Sequence, residues 1–273
     1  EVFGIGFKTA DAIAKEMGVR PDAPMRARAA LVYLLNQAAS EGHVYLPKEL
    51  LLARAAKLEI PAGAAEEAIA HLAEAKELVV EEDDGAGGEA RVYPAFLHFA
   101  EVEAARRFVR LCLGDGPGLG LDGSEGPRLA AAGAAASSVA PDPLAGLTQG
   151  LTPEQRQAVE KASAPGRGLL VITGGPGTGK TTTLRAIVAA LEAQGRPYLL
   201  AAPTGRAAKR LKEATGREAR TLHRLLEYSG GEEGAIRFQR HERNPLDADV
   251  VIIDEASMID LPLAMHLLRA LPD

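Results

Sequence analysis

The chain has no tryptophan, a single cysteine (Cys112), and aromatic side chains at only 4% of its 273 positions. One cysteine excludes an intrachain disulfide framework and suits a reducing compartment. No Cys-x-x-Cys or His-x-x-His spacing occurs, so zinc is not implied. Long apolar runs are missing as well. None reaches the roughly 18 residues that a membrane helix needs, and the start carries no signal-peptide pattern. We therefore expect no membrane partner and a cytoplasmic location. Nor is there an excess of positive charge: 31 Lys and Arg stand against 37 Asp and Glu, a net −6. Bulk charge does not advertise nucleic-acid binding, so any such surface must be local. What is present is 47% apolar and 25% charged residues, ordinary for a soluble chain of one or two domains. The chain also lacks an initiator methionine and begins inside a motif, so both ends are expected to be internal to a longer protein.

Composition separates the chain into regions. Residues 1–23 hold Gly4-Ile5-Gly6 followed by Ala10, Ile13 and Ala14, the second half of a helix-hairpin-helix. In that motif the glycine turn aims its amides at a nucleic-acid phosphate, and Lys8 adds a cation; a plain turn between helices fits the same residues. Ala10 and Ala14 are small enough for close helix packing. Residues 24–113 are helical with short strands. An amphipathic helix over Met25–Ala39 is followed by a strand at His43–Leu46, a helix opened by Pro47, and another over Ala64–Ala75. Leu78–Glu82 and Ala90–Tyr93 then flank a Gly-rich turn as a β-hairpin wing. This order predicts a small winged-helix-like fold. The acidic run Glu81–Asp84 argues against DNA at the wing tip and for a structural or docking role. Residues 114–147 are rich in Gly, Ala, Pro and Ser and predict a flexible linker. Residues 148–273 alternate strands and helices, the signature of an α/β domain with a parallel sheet.

That last region carries the chemistry. Gly174-Gly175-Pro176-Gly177-Thr178-Gly179-Lys180-Thr181 fits G-x-x-x-x-G-K-[ST] between an expected strand, Leu169–Ile172, and a helix starting near Thr181. The glycines let successive backbone amides point inward at phosphate oxygens, and the helix adds the positive end of its dipole. Lys180 is expected to reach the β- and γ-phosphates of ATP. The Thr181 hydroxyl is a ligand for Mg²⁺, and Thr182 lies beside it. The apolar β-branched run Val250–Ile253 predicts a strand covered on both faces, delivering Asp254 and Glu255 at its carboxyl end. Asp254 suits the metal and Glu255 suits orienting and deprotonating an attacking water. A glycine turn can be punctuation and an acidic pair can be solvated surface, but each makes the other less ordinary.

Flanking segments narrow the activity. Leu151–Val159 contains Thr152, a helix cap, and Gln155, whose amide can both donate to and accept from an adenine edge. A second expected strand, Tyr198–Ala202, ends in Pro203-Thr204-Gly205-Arg206-Ala207-Ala208-Lys209-Arg210, where a hydroxyl, a glycine amide and cations meet a helix start. Basic residues concentrate there: Arg206, Lys209, Arg210, Lys212, Arg217 and Arg220.

Together the start Val2–Asp11, the Gln155 segment, Thr173–Thr183, Ala202–Leu211, Thr221–Leu226 and Asp254–Asp260 resemble superfamily 1 helicases. The match is nearest the RecD-like family, of the stand-alone type with an N-terminal extension, close to the TraA relaxase-helicases. The resemblance spans almost everything except the linker. It implies a P-loop NTPase of RecA-like fold and an ATP-dependent motor moving 5′ to 3′ on single-stranded DNA, with strand junctions as substrate and a role in recombination or repair. It places one backbone contact at Pro203, Thr204, Gly205 and Arg206, and another at Thr221–Leu226, with Thr221 and His223 as contacts. Gly4, Gly6 and Lys8 would form a further DNA contact. Ser229–Phe238 reads as a turn-rich insert. The Gly/Ala-rich linker departs from the regular helix expected ahead of Gln155, and a chain ending at Asp273 is expected to hydrolyse ATP weakly and not to unwind DNA. Two other readings stay open: a non-motor P-loop ATPase, and a DNA-docking adaptor whose nucleotide site only regulates.

Overall fold

The computed structural model describes residues 6–82, 89–113, 146, 148–166, 168–175, 177–230 and 236–272. Gly4, Ile5, Pro176, the wing tip at 83–88, the linker positions 114–145 and 147, and residues 231–235 lie outside them. The chain divides into two compact units, Glu1–Glu103 with Asp260–Pro262, and Ala104–Ile259 with Leu263–Asp273.

In the first unit, Gly6 precedes helix α1 (Phe7–Glu16), which leads to α2 (Pro24–Ser40). Proline at the first helical position loses no hydrogen bond there. Helix α2 buries Ala27, Ala30, Leu31, Leu34, Leu35 and Ala38, the stripe that a 3.6-residue period places on one face. Phe7 stacks on Tyr33 with ring centroids 4.7 Å apart, and Asp11 meets Arg26. Ala10, expected as a close helix contact, is exposed: Phe7, Asp11 and Ala14 form the inner stripe at i, i+4 and i+7, and Ala10 falls beside it. Strand β1 (Leu46–Pro47), α3 (Lys48–Ala56), α4 (Ala62–Glu74), β2 (Leu78–Glu81) and β3 (Arg91–Pro94) follow. The antiparallel order β1-β3-β2 turns Leu46, Leu78 and Val92 into the helical core. Helices and a small antiparallel sheet thus follow one another in the expected order. Strand β1 is shorter than expected, ending at Pro47 on the sheet edge where a missing N–H is tolerated. Helix α5 (Ala95–Leu113) leaves directly from β3.

The second unit continues with α6 (Pro153–Ser163), α7 (Lys180–Ala193), β4 (Tyr198–Ala202), α8 (Gly205–Thr215), β5 (Ala219–Thr221), α9 (Leu222–Leu225), β6 (Tyr228–Gly230), β7 (Ile236–Phe238), β8 (Val250–Ile253) and α10 (Leu261–Ala270). Strands β5, β4 and β8 pair in parallel in that order. Alternation along β8 explains its all-apolar sequence. Val250 and Ile252 pack with Val159, Ile187 and Leu191 of α6 and α7, while Val251 and Ile253 pack with Leu222, Leu225, Leu263 and Leu267. Helices thus cover both faces, as a parallel sheet requires.

A further expectation fails in this unit. Leu169–Ile172 belongs to no strand, and its side chains are 40–69% exposed. An extended segment becomes a strand only through a ladder partner. Among the described residues the sheet ends at β8 on one side and β5 on the other, and neither pairs with this segment.

Candidate functional site

Gly177 and Gly179 hold φ of 76° and 82°, conformations that favour glycine, and Gly179 caps the start of α7. The loop they shape is close-packed. A Cβ on Gly174 would meet the Thr178 hydroxyl at 2.5 Å, and one on Gly179 would collide with the Gln155 amide. Thr178 Oγ1 donates to the Gly175 carbonyl (2.9 Å), and Thr183 Oγ1 donates to that of Gly179 (3.1 Å). Lys180 folds over its own loop, its Nζ donating to the carbonyls of Gly174 (2.6 Å) and Gly175 (2.9 Å). The ammonium therefore sits against the loop that phosphates are expected to enter. Thr181 and Thr182 are exposed on the first turn of α7.

Gln155 is fastened to this loop. Thr152 and Gln155 form a reciprocal capping box at the start of α6: Thr152 Oγ1 accepts from the Gln155 amide, and Gln155 Oε1 accepts from the Thr152 amide at 3.0 Å. The remaining amide hydrogens face the loop, with Gln155 Nε2 donating to the Thr178 carbonyl at 3.1 Å. Donor and acceptor are both engaged, an arrangement the residue type alone did not reveal.

At the carboxyl edge of the sheet, Ala202 pairs with Thr221 and Ala201 with Ile253, and the Asp254 amide donates to the Ala201 carbonyl at 3.0 Å. Pro203–Arg206, Thr221 and Asp254 therefore leave neighbouring strands side by side, at the end of the sheet where α/β proteins bind ligands. Asp254 Oδ1 accepts from the Glu255 amide (3.0 Å), and Glu255 is exposed with φ 55°, ψ 41°. Thr204 Oγ1 accepts from the Ala207 amide, capping α8. Thr221 Oγ1 does the same for Arg224.

The expected basic cluster is smaller than the sequence suggested. Arg217 is tied to Glu192 by two hydrogen bonds of 2.6 and 2.9 Å. With a third bond from the Tyr198 hydroxyl, they hold the Glu192 carboxyl down at about 2. Arg220 pairs with Glu218 and Lys209 with Glu213. A surface cation this close to a carboxylate has already given up part of its field. Arg206 and Arg210 make no ion pair among the described residues and are exposed.

The segment from Gln155 to residue 273 matches the family model of an AAA domain, and residues 1–45 match the helix-hairpin-helix domain of the ATP-dependent RecD2 DNA helicase. The ATP-dependent RecD2 DNA helicase of Deinococcus radiodurans is 36% identical over 288 aligned residues, covering all of this chain and 36% of that protein. The RecD subunit of the RecBCD enzyme of Mycolicibacterium smegmatis is 43% identical over 140 residues, 43% of this chain and 24% of that subunit. The ATP-dependent DNA helicase dda of Enterobacteria phage T4 is 37% identical over 128 residues, 45% of this chain and 29% of that protein. Over both matched segments the chain is similar to RecD-like superfamily 1 helicases.

This RecD-like chain spans about a third of the length of the Deinococcus relative. Its AAA match begins at Gln155 and takes in the phosphate loop, the cationic helix start and the acidic pair. Within it, no hydrogen bond or ion pair among the described residues joins Asp254 or Glu255 to Lys180 or Thr181. In the match to the helix-hairpin-helix domain, Gly6 and Lys8 are exposed at the start of α1, and Gly4 lies outside the described residues. No described helix is long and apolar enough to cross a membrane. No three His, Cys, Asp or Glu among the described residues gather as a metal site. The sequence reading missed Tyr228 and Phe238, which face each other across the β6–β7 ladder. Aromatic residues flanking a glycine turn were the available signal.

Proposed function

We propose that the protein is an ATP-dependent DNA helicase that moves 5′ to 3′ along single-stranded DNA and opens duplex at strand junctions, in recombination or repair. The observation that carries this reading is the common edge of the sheet, where the acidic pair and two expected DNA contacts emerge from adjacent strands. A change at a bound phosphate can there be felt at the DNA through one strand's displacement.

The residues fit the groups implied. The loop is open only to glycine at Gly174 and Gly179, as close approach of backbone to phosphate demands. Lys180 would exchange its two carbonyl partners for phosphate oxygens, Gln155 would turn its amide to adenine, and Gly175, Pro176, Gly177, Thr178 and Thr182 would complete the cradle. Thr181 and Asp254 offer hard oxygen donors that would hold Mg²⁺, too few to do so without phosphate and water. When bound, that ion would neutralise charge on the phosphates. Glu255 would accept the proton of the attacking water. Pro203–Arg206 and Thr221 would hold the strand's backbone, with His223 touching the strand beside them, and Gly4, Gly6 and Lys8 would hold a second stretch. For these 273 residues alone we propose weak ATP turnover without unwinding.

ATP hydrolysis by the purified protein, measured with and without an oligothymidylate, tests the reading. Single strand should raise the rate, and Lys180→Ala should remove it at least a hundredfold, the loss of roughly 3 kcal/mol of transition-state stabilisation. A rate indifferent to single strand would indicate a non-motor ATPase. A Lys180→Ala protein that keeps its DNA activity would indicate an adaptor.

A further inference from the structure

Four rings gather at the root of the β6–β7 hairpin. Tyr228 and Phe238, opposite each other in the ladder, have centroids 5.7 Å apart. His223 lies 5.8 Å from Tyr228 and 5.9 Å from Phe238, and Phe238 meets His266 of α10 at 4.6 Å. In a chain with no Trp, five Tyr and six Phe, aromatic content alone does not produce such a gathering.

Burial divides the four. Phe238 is half-buried and packs on the core formed by Leu222, Leu225, Leu263 and their neighbours. His266 is half-buried behind it, and that burial lowers its pKa, favouring a neutral, apolar ring. Tyr228, in contrast, leaves 49% of its surface to solvent, and His223 is exposed. Phe238 and His266 suffice to anchor the hairpin. The outer two rings are held in place by that anchor while their surfaces stay open.

Location supplies the chemistry of the partner. His223 is two residues beyond Thr221, and Thr221 pairs with Ala202 at the end of β4, so the rings stand one strand away from the Thr204–Arg206 helix start. Arg206 and Arg210 carry no ion pair among the described residues. Unpaired cations beside preformed ring surfaces are what single-stranded nucleic acid requires: phosphates on the cations, bases on the rings. Tyrosine suits this task because it has few torsions to immobilise.

We propose that Tyr228 and His223, backed by Phe238 and His266, form a platform on which bases of a single strand stack. The inference rests on the reading of Thr204–Arg206 and Thr221 as backbone contacts, and adds a base contact to them. Every base has a π-face, so the platform holds the strand without reading its sequence.

Fluorescence anisotropy at one salt concentration, comparing an oligothymidylate with a strand of the same length made abasic, tests it on the unsubstituted protein. Roughly tenfold tighter binding of the base-bearing strand is expected. Tyr228→Ala should erase that preference while leaving affinity for the abasic strand unchanged, and Tyr228→Phe should keep it. Equal binding of the two strands overturns the platform and leaves the backbone contacts standing. Binding of neither overturns both readings. A Tyr228→Ala protein with undiminished preference confines the rings to anchoring the hairpin and overturns the proposal too. If that variant does not fold, the comparison of the two strands on the unsubstituted protein and on Tyr228→Phe still decides.

Discussion

Glu255 adopts a left-handed backbone, φ 55° and ψ 41°, at the position where a water-activating carboxylate is expected. A side chain there costs about 1–2 kcal/mol, and such strain persists where the surroundings over-determine it. The Asp254 carboxylate, accepting the Glu255 amide, is one such constraint. We predict that Glu255→Gly raises the thermal stability of the second unit by roughly 0.5 kcal/mol, the relieved strain less glycine's entropic cost of about 0.5–1 kcal/mol, while the proposed hydrolysis is lost. Glu255→Gln should lose hydrolysis without gaining stability. Equal melting temperatures for the two variants would show that the conformation is not strained. Lys180 and Gln155 illustrate a different residue-scale point. Their types and spacing announced a phosphate loop and an amide that can face adenine, but not that the ammonium rests on Gly174 and Gly175 or that the amide is shared between a helix cap and Thr178. The cap half of this is written in the Thr152-x-x-Gln155 spacing, but the carbonyls of Gly174, Gly175 and Thr178 are placed by the folded loop and leave no trace in residue type.

Among the elements, legibility followed hydrophobic period and length. Strands β4 and β8 coincide with the apolar runs that predicted them, because a parallel strand covered on both faces is apolar at every position. Helix α2 was equally legible from its stripe. Leu169–Ile172 has the same composition and is no strand, since pairing is a property of neighbours rather than of the segment. The β6–β7 hairpin carries only a turn-rich signal in the sequence, because its strands are three residues each. A buried arginine likewise has no signal in the sequence. Arg26 is 5% exposed and donates to Asp11 (2.7 and 3.2 Å) and to the carbonyls of Pro21, Leu58 and Glu59. It ties α1 to α2 and to the turn after α3, and it depresses the pKa of Asp11. Removing one partner of a buried pair costs about 3–5 kcal/mol where the other charge is left uncompensated; Lys15, 3.6 Å from Asp11, keeps a partial counter-charge, so the lower end of that range applies here. Arg26→Ala should lower the stability of the first unit by that order in urea denaturation and raise the proteolytic sensitivity of α1. A midpoint within experimental error of the unsubstituted protein would mean the arginine is dispensable.

For the whole molecule, the two units divide by chemistry. The first offers a helical core with a small antiparallel sheet, and exposed Gly6 and Lys8 at a helix start in a segment matching a helix-hairpin-helix domain. The second offers a nucleotide loop and a sheet edge where acidic and cationic segments are neighbours. The resemblance to RecD-like helicases rests on motif spacing, and the close-packed phosphate loop restricts that spacing by admitting no side chain at Gly174 or Gly179. Direction of movement and the biological process have no comparable residue-level signature in this chain. What the proposed motor requires is that the nucleotide and the strand each alter the other's affinity by the same factor, commonly 5–150-fold. The most direct measurement is the dissociation constant of an oligothymidylate for the intact protein, with and without a saturating non-hydrolysable ATP analogue and Mg²⁺. We predict a shift of at least about fivefold that disappears in Lys180→Ala and shrinks in Arg206→Ala. Identical dissociation constants with and without the analogue, at proven nucleotide saturation, would contradict the account.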